Sequence, residues 1–181
     1  MTKFKNLFLI LLASLLAFSS CEKNTIDIPL SSATIVLDDI LVVDASKSTM
    51  NSFSVTQTID YESIAGLSDE VDKYRSHIQS IEADTVYITI TTTDGEGTVI
   101  ENFLIKVNGL NDFSIPQYDL GTVYTASHIP AYVTQLMFKI MNGNSLELNI
   151  SGETDVASGE YLQVEITLKN VVIKAKVVDF L

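Results

Sequence analysis

Apolar residues recur at every second position over most of this chain, and that period commits it to strands. The clearest run sets Leu162, Val164, Ile166 and Leu168 on one face, followed by Val171, Ile173, Ala175 and Val177. Strand side chains point alternately to opposite faces, so such a run buries one face and leaves the other to solvent. The apolar phase inverts between Leu168 and Val171. Either Lys169-Asn170 forms a tight turn, or one long strand carries a bulge that re-aims its side chains. No glycine sits there to take a positive φ, which favours the bulged strand.

Three hairpins follow from matching such runs. Placing Val43 opposite Phe53 puts Leu41 against Val55, Asp39 against Gln57 and Leu37 against Ile59, like facing like. A second hairpin turns at Asp94-Gly95-Glu96-Gly97, with Thr92 opposite Val99, Ile88 opposite Phe103 and Val86 opposite Ile105. The same register sets Ile90 against Glu101, a mismatch without explanation. A third turns at Asn142-Gly143-Asn144, with Leu136 facing Ile150, Phe138 facing Leu148 and Ile140 facing Leu146. Helix is the rival there, because Val133, Leu136, Met137 and Ile140 also fall at helical spacing; the turn and the three matched pairs favour strand.

One helix stands out. Ile64, Leu67, Val71, Tyr74 and Ile78 follow a helical stripe; Gly66 interrupts it, Ser68 is a candidate N-cap, and Asp69 and Glu70 suit the first turn. The solid part spans 68–78. Residues 22–32 are mixed polar, contain Pro29 and lack a period, which reads as a tether. The expected architecture is a mainly β, antiparallel β-sandwich of about eight strands with one short crossover helix, a single domain over 33–181. A closed barrel has the same strand spacing.

The N-terminus carries a different pattern. Lys3 and Lys5 precede an apolar stretch from Leu7 to Phe18, then Ser19, Ser20 and the chain's single cysteine, Cys21. The stretch is too short to span a bilayer as a helix and has the order of a secretory signal. Leading directly into cysteine, it resembles the lipobox of bacterial lipoproteins, with Phe18 where that family usually has Leu. The resemblance implies a signal peptide over 1–20, acylation of Cys21, and a lipidated cysteine with tether over 21–32. Glu22 resembles the surface-export signal of Bacteroidota lipoproteins, which implies an outer-membrane location with display on the cell exterior. The remainder resembles the small β-rich lipoproteins of that group. Asp84-Thr85-Val86 resembles their three-residue O-glycosylation signal, which implies Thr85 as acceptor.

Charge narrows the partners. The chain carries −12 formally, and loss of Lys3 and Lys5 with the leader makes the rest more negative still. That surface repels nucleic acid and holds no basic cluster to offset it. His77 and His128 lack neighbours at a metal-ligand spacing, and no EF-hand loop, G-x-S-x-G elbow or phosphate-binding glycine loop is present. The sequence therefore points to no metal, no cofactor and no enzyme. The least regular segment, 110–132, gathers Phe113, Tyr118, Tyr124 and Tyr132 as a candidate ligand or partner surface. A Greek-key connection or an edge strand packed by its own tyrosines is the plainer reading. The expected function is a lipid-anchored, non-enzymatic envelope or surface protein, held to the membrane through Cys21, that contacts another envelope protein or forms part of a surface assembly. The alternative is a binder of a small apolar or glycan ligand through 110–132.

Overall fold

A computed structural model describes residues 25–44, 50–93, 97–125, 129–143 and 145–177. Among them, nine strands build two antiparallel sheets. The first contains β1 (Thr25–Val43), β9 (Tyr161–Lys176) and β4 (Ile78–Thr92), with the two-residue strands β3 (Ile64–Ala65) and β7 (Val123–Tyr124) at its margins. The second runs β2 (Asn51–Asp60), β8 (Ser145–Thr154), β5 (Val99–Val107) and β6 (Phe113–Asp119). The fold is a mainly β, antiparallel sandwich, and β1 belongs to both layers: it pairs with β9 as far as Leu41, then with β2 at Val42 and Val43. Two helices, α1 (Asp69–Tyr74) and α2 (Ile129–Asn142), complete it. A single apolar cluster runs through both sheets and both helices. None of the described helices is long and apolar enough to cross a membrane.

Strand β9 is one continuous strand, as the inverted phase suggested. Leu162, Val164, Ile166 and Leu168 are buried above the inversion and Val171, Ile173 and Ala175 below it. Asn170 takes φ +50, a left-handed conformation that asparagine tolerates better than most residues. The inversion is shared by its neighbours. On β1, Leu30 pairs with Val171 and Ser32 with Lys169; on β4, Ala83 pairs with Val171 and Thr85 with Lys169. Ser31, Asn170 and Asp84 thus form one row across three strands, and the Asn170 amide donates to Asp84 Oδ2 at 3.1 Å. Because all three strands invert together, the register survives and the inner face stays apolar throughout.

The first hairpin is present with a shifted register. Val42, not Val43, lies opposite Phe53, and Leu37 pairs with Val164 of β9 rather than with Ile59. The cause is a true bulge between Leu37 and Ile40, where Asp39 takes φ +60. It moves the buried set to Ile40 and Val42 and turns Leu41 and Val43 outward. The expected tether is shorter too: Thr25–Ser32 belong to β1 and pair with β9 from Lys176 to Lys169. Ile28 and Leu30 are buried there, and such burial outweighs the polar residues between them.

The second hairpin does not form. Asp94–Glu96 lie outside the described residues, but β4 pairs with β9 and β7, whereas β5 pairs with β8 and β6. β4 thus belongs to the first sheet and β5 to the second. The unexplained match of Ile90 with Glu101 disappears, since Ile90 pairs with Val164 and Glu101 with Gln117 and Glu153.

The third hairpin is replaced by helix α2. Ile129, Val133, Leu136, Met137, Ile140 and Met141 are all buried, a wide apolar face that a strand over these residues could not present. Pro130 sits in the first turn, where its missing N–H costs nothing, and Gly143 ends the helix by donating to Lys139 O at 2.8 Å. The anticipated helix over 68–78 is shorter than expected. Ser68 is its N-cap residue, α1 stops at Tyr74, a 3₁₀ turn spans Arg75–His77, and Ile78 opens β4.

Between the layers, Phe53 and Phe103 pack at 6.4 Å between ring centroids. Gly152 makes room for them: a Cβ there would stand 2.6 Å from Phe53 Cζ. Phe53 is fully buried and cannot swing away. Gly152→Ala is expected to destabilise the fold by about 2 kcal/mol through overpacking, read as a lower urea midpoint at unchanged slope; an unchanged midpoint would contradict this packing.

Candidate functional site

Of the four aromatic residues singled out in segment 110–132, two point into the core and two are half-buried. Phe113 and Tyr118 are 3% and 2% exposed and belong to the core. They sit on β6, an edge strand paired only with β5, whose inward positions also include Ile115. Tyr118 Oη accepts from Ile90 N at 2.9 Å and donates to Thr122 O, tying β6 to β4 across the sandwich. Burial pushes its pKa up. Tyr124 lies half-buried on β7, and Tyr132 stacks on Phe113 with centroids 5.2 Å apart. The plainer sequence reading, an edge strand packed by its own tyrosines, describes this segment.

Tyr132 has one unusual feature. Its hydroxyl is buried and, among the described residues, has no hydrogen-bond partner. Burial, with the nearby Asp112 charge adding to it, pushes the phenol up to about 12. A buried hydroxyl without a partner costs desolvation and returns nothing. Tyr132→Phe is therefore expected to leave stability unchanged or raise it by up to about 1 kcal/mol, measured by chemical denaturation. A loss of more than that would reveal a partner for the hydroxyl.

Of the other expected positions, Cys21 and His128 lie outside the described residues. Thr85 sits within β4, half-buried and opposite Lys169. His77 is in the 3₁₀ turn, its Nδ1 2.9 Å from Ser76 Oγ. No three His, Cys, Asp or Glu side chains come together at metal-binding range among the described residues.

Three features were not anticipated. The first is an apolar patch at the end of β1 farthest from Thr25. Leu41, Val43 and Tyr161 are 42%, 46% and 40% exposed, and Leu41 and Tyr161 are direct strand partners. Asp39 and Asp44 are exposed beside them. The patch was illegible because simple alternation turned Leu41 and Val43 inward; the signal for it was Asp39, a residue type that tolerates the left-handed bulge.

The second is an open groove of about 340 Å3 between α2, β4 and the turn joining β5 to β6. Ile81, Leu110 and Phe138 form apolar walls, and Gln79, Gln135 and Lys139 also line it. Lys139 is the only charged residue among the lining side chains.

The third is a knot at Asp155, in the β8–β9 connection. Its carboxylate accepts from Thr98 N and Val99 N at 2.8 and 2.9 Å and from Thr98 Oγ1 at 2.5 Å. Partial burial pushes this carboxyl up, but the donors from Thr98 and Val99 outweigh it and hold the pKa below the usual range. A depressed folded pKa gives stability that is present above the unfolded value, about 3.9, and is lost as pH falls through the folded value. Asp155→Asn is expected to cost about 1 kcal/mol at neutral pH. Denaturation midpoints of wild type and variant should converge as the solution is acidified below that window; a constant gap would exclude the carboxylate as the source.

No protein-family model matches the chain, and no curated protein does. Among solved structures, the chain is similar to one described as decameric BFDV capsid protein, at 7% identity and a TM-score of 0.43, covering 84% of this chain and 99% of that one. It is also similar to desmodium yellow mottle tymovirus, at 10% identity and a TM-score of 0.36, covering 86% and 89%. At these scores neither likeness bears on what this chain does, and the fold rests on the strand pairing itself.

Proposed function

We propose that this chain is a lipid-anchored, non-enzymatic protein of the outer membrane, displayed at the cell surface, that contacts another envelope protein. The observation that carries the contact is the patch of Leu41, Val43 and Tyr161, apolar side chains exposed side by side in a chain whose net charge is −12. Its position suits the anchor. Cys21 is four residues from Thr25, a span of at most about 14 Å, so an acylated sulfur would hold the start of β1 close to the bilayer. The patch lies near the far end of the same strand, turned toward whatever stands above the membrane. Asp39 and Asp44 beside it favour a partner with an apolar centre and basic margin.

The open strand edges are poorer docking surfaces. β6 carries Pro116, and the flank of β1 below β3 carries Pro29, each lacking the N–H that an added strand would need. A second reading, binding of a small apolar ligand, draws support from the groove beside α2.

Two measurements test the proposal. Metabolic labelling with a clickable fatty-acid analogue should mark the wild type and not Cys21→Ala, which should also leave the membrane fraction; equal label on both removes the anchor. A photo-crosslinking amino acid at Val43 should give a discrete adduct in intact cells, and the same probe at Thr58, exposed on β2, should not. Identical patterns from the two positions would remove the docking surface.

A further inference from the structure

We propose that the groove between α2, β4 and the β5–β6 turn binds a single-chain anionic amphiphile, a fatty carboxylate whose head lies against Lys139. The proposal deepens the small-ligand reading by naming the ligand class, and it moves the site away from the tyrosines. Apolar walls from Ile81, Leu110 and Phe138 suit an acyl chain. A volume of about 340 Å3 is near the low end for ligand sites, which suits one short chain better than a two-chain lipid.

Lys139 selects the head group. It is half-buried, and among the described residues it makes no ion pair. The acid closest by along the turn, Asp112, is engaged by Lys106 at 3.6 Å. A neutral apolar ligand would desolvate the ammonium without giving it a partner, and a cation would be repelled. A carboxylate satisfies it, and the Gln79 and Gln135 amides, which also line the groove, can donate to a second oxygen.

Gly109 supports the same assignment. It takes φ +74, and a Cβ there would stand 3.1 Å from Lys139 Nζ. Glycine therefore allows the turn and leaves the ammonium its place beside it. The groove also lies toward the end of the first sheet where β1 begins: Ser80 pairs with Lys174, and Lys174 pairs with Asp27. In a chain anchored through Cys21, that end faces the membrane, where amphiphiles are concentrated.

The test uses a chain beginning at residue 22, which keeps every described element, titrated with decanoate and with 1-decanol and followed by amide NMR shifts. Decanoate should bind saturably, shifting the amides of Gly109, Leu110, Gln135 and Lys139. Lys139→Gln should weaken decanoate about tenfold and should not weaken decanol, whose binding no longer desolvates an unpaired ammonium. Gln135→Trp, at an exposed position of α2, should fill the groove and abolish both while the thermal midpoint is retained. If decanol binds there as tightly as decanoate, or Lys139→Gln leaves decanoate affinity intact, the head-group assignment falls and a small-ligand site remains. If neither compound shifts these amides, the small-ligand reading falls with it. Labelling at Cys21 is independent of either result.

Discussion

The structure depends on the inversion of β9 at Asn170 being matched on both of its neighbours. An extra residue in a single strand normally unpairs that residue and bends the ladder. Here Ser31 and Asp84 stand level with Asn170, so β1, β9 and β4 turn over together and resume the same pairing. The apolar face continues inward on both sides of the row. Above it, Ile35, Ile88 and Ile166 belong to the sandwich core; below it, Ile28, Ile81 and Ile173 extend the core toward the helices. Without the shared inversion, one half of the first sheet would present its apolar face to water.

That continuity explains the two helices. The first sheet is longer than the second, because β1, β9 and β4 reach past the level at which β2 turns into the 3₁₀ turn Tyr61–Ser63. The surplus apolar face needs a cover. α1 contributes Val71 and Tyr74, and α2 packs along β4. Arg75 ties this corner together: its guanidinium lies 3.9 Å from the Tyr61 ring centroid, and its Nε donates to Met141 O at 3.5 Å, near the end of α2. Tyr61 donates in turn to Asp72 of α1. The groove at Lys139 is the seam left where a helix meets the end of a strand and a turn.

Much of this was legible along the chain, and the failures share one cause. The strands are legible because alternation is a local property, visible in any window of six residues. Their partners are not legible where two apolar faces are equally compatible. Val86, Ile88 and Ile90 could face Phe103 and Ile105 as well as they face Leu168, Ile166 and Val164, and only the mismatch with Glu101 argued otherwise. Likewise, Leu136, Phe138 and Ile140 alternate as a strand does, while Val133, Leu136, Met137 and Ile140 space as a helix does. The helix prevails because it also buries Ile129 and Met141 over a sheet face that would otherwise stay wet. Segment 110–132 has a related ambiguity: its sequence lacks a clear period, yet Phe113 and Tyr118 point inward from an edge strand while Tyr124 and Tyr132 stay half-buried.

By itself, the sequence determined that the chain is built of alternating strands, that one long strand inverts between Leu168 and Val171, and that an acidic body with a single cysteine follows an apolar N-terminal stretch. Those properties are set by neighbours a few positions apart. Tertiary structure alone decided which strands pair, that β1 joins both layers, that residues 129–142 coil, and that Leu41, Val43 and Lys139 face outward or into a groove. The reason is physical: burial rewards any apolar face that finds another, so the choice among faces belongs to the whole packed assembly rather than to any segment of it.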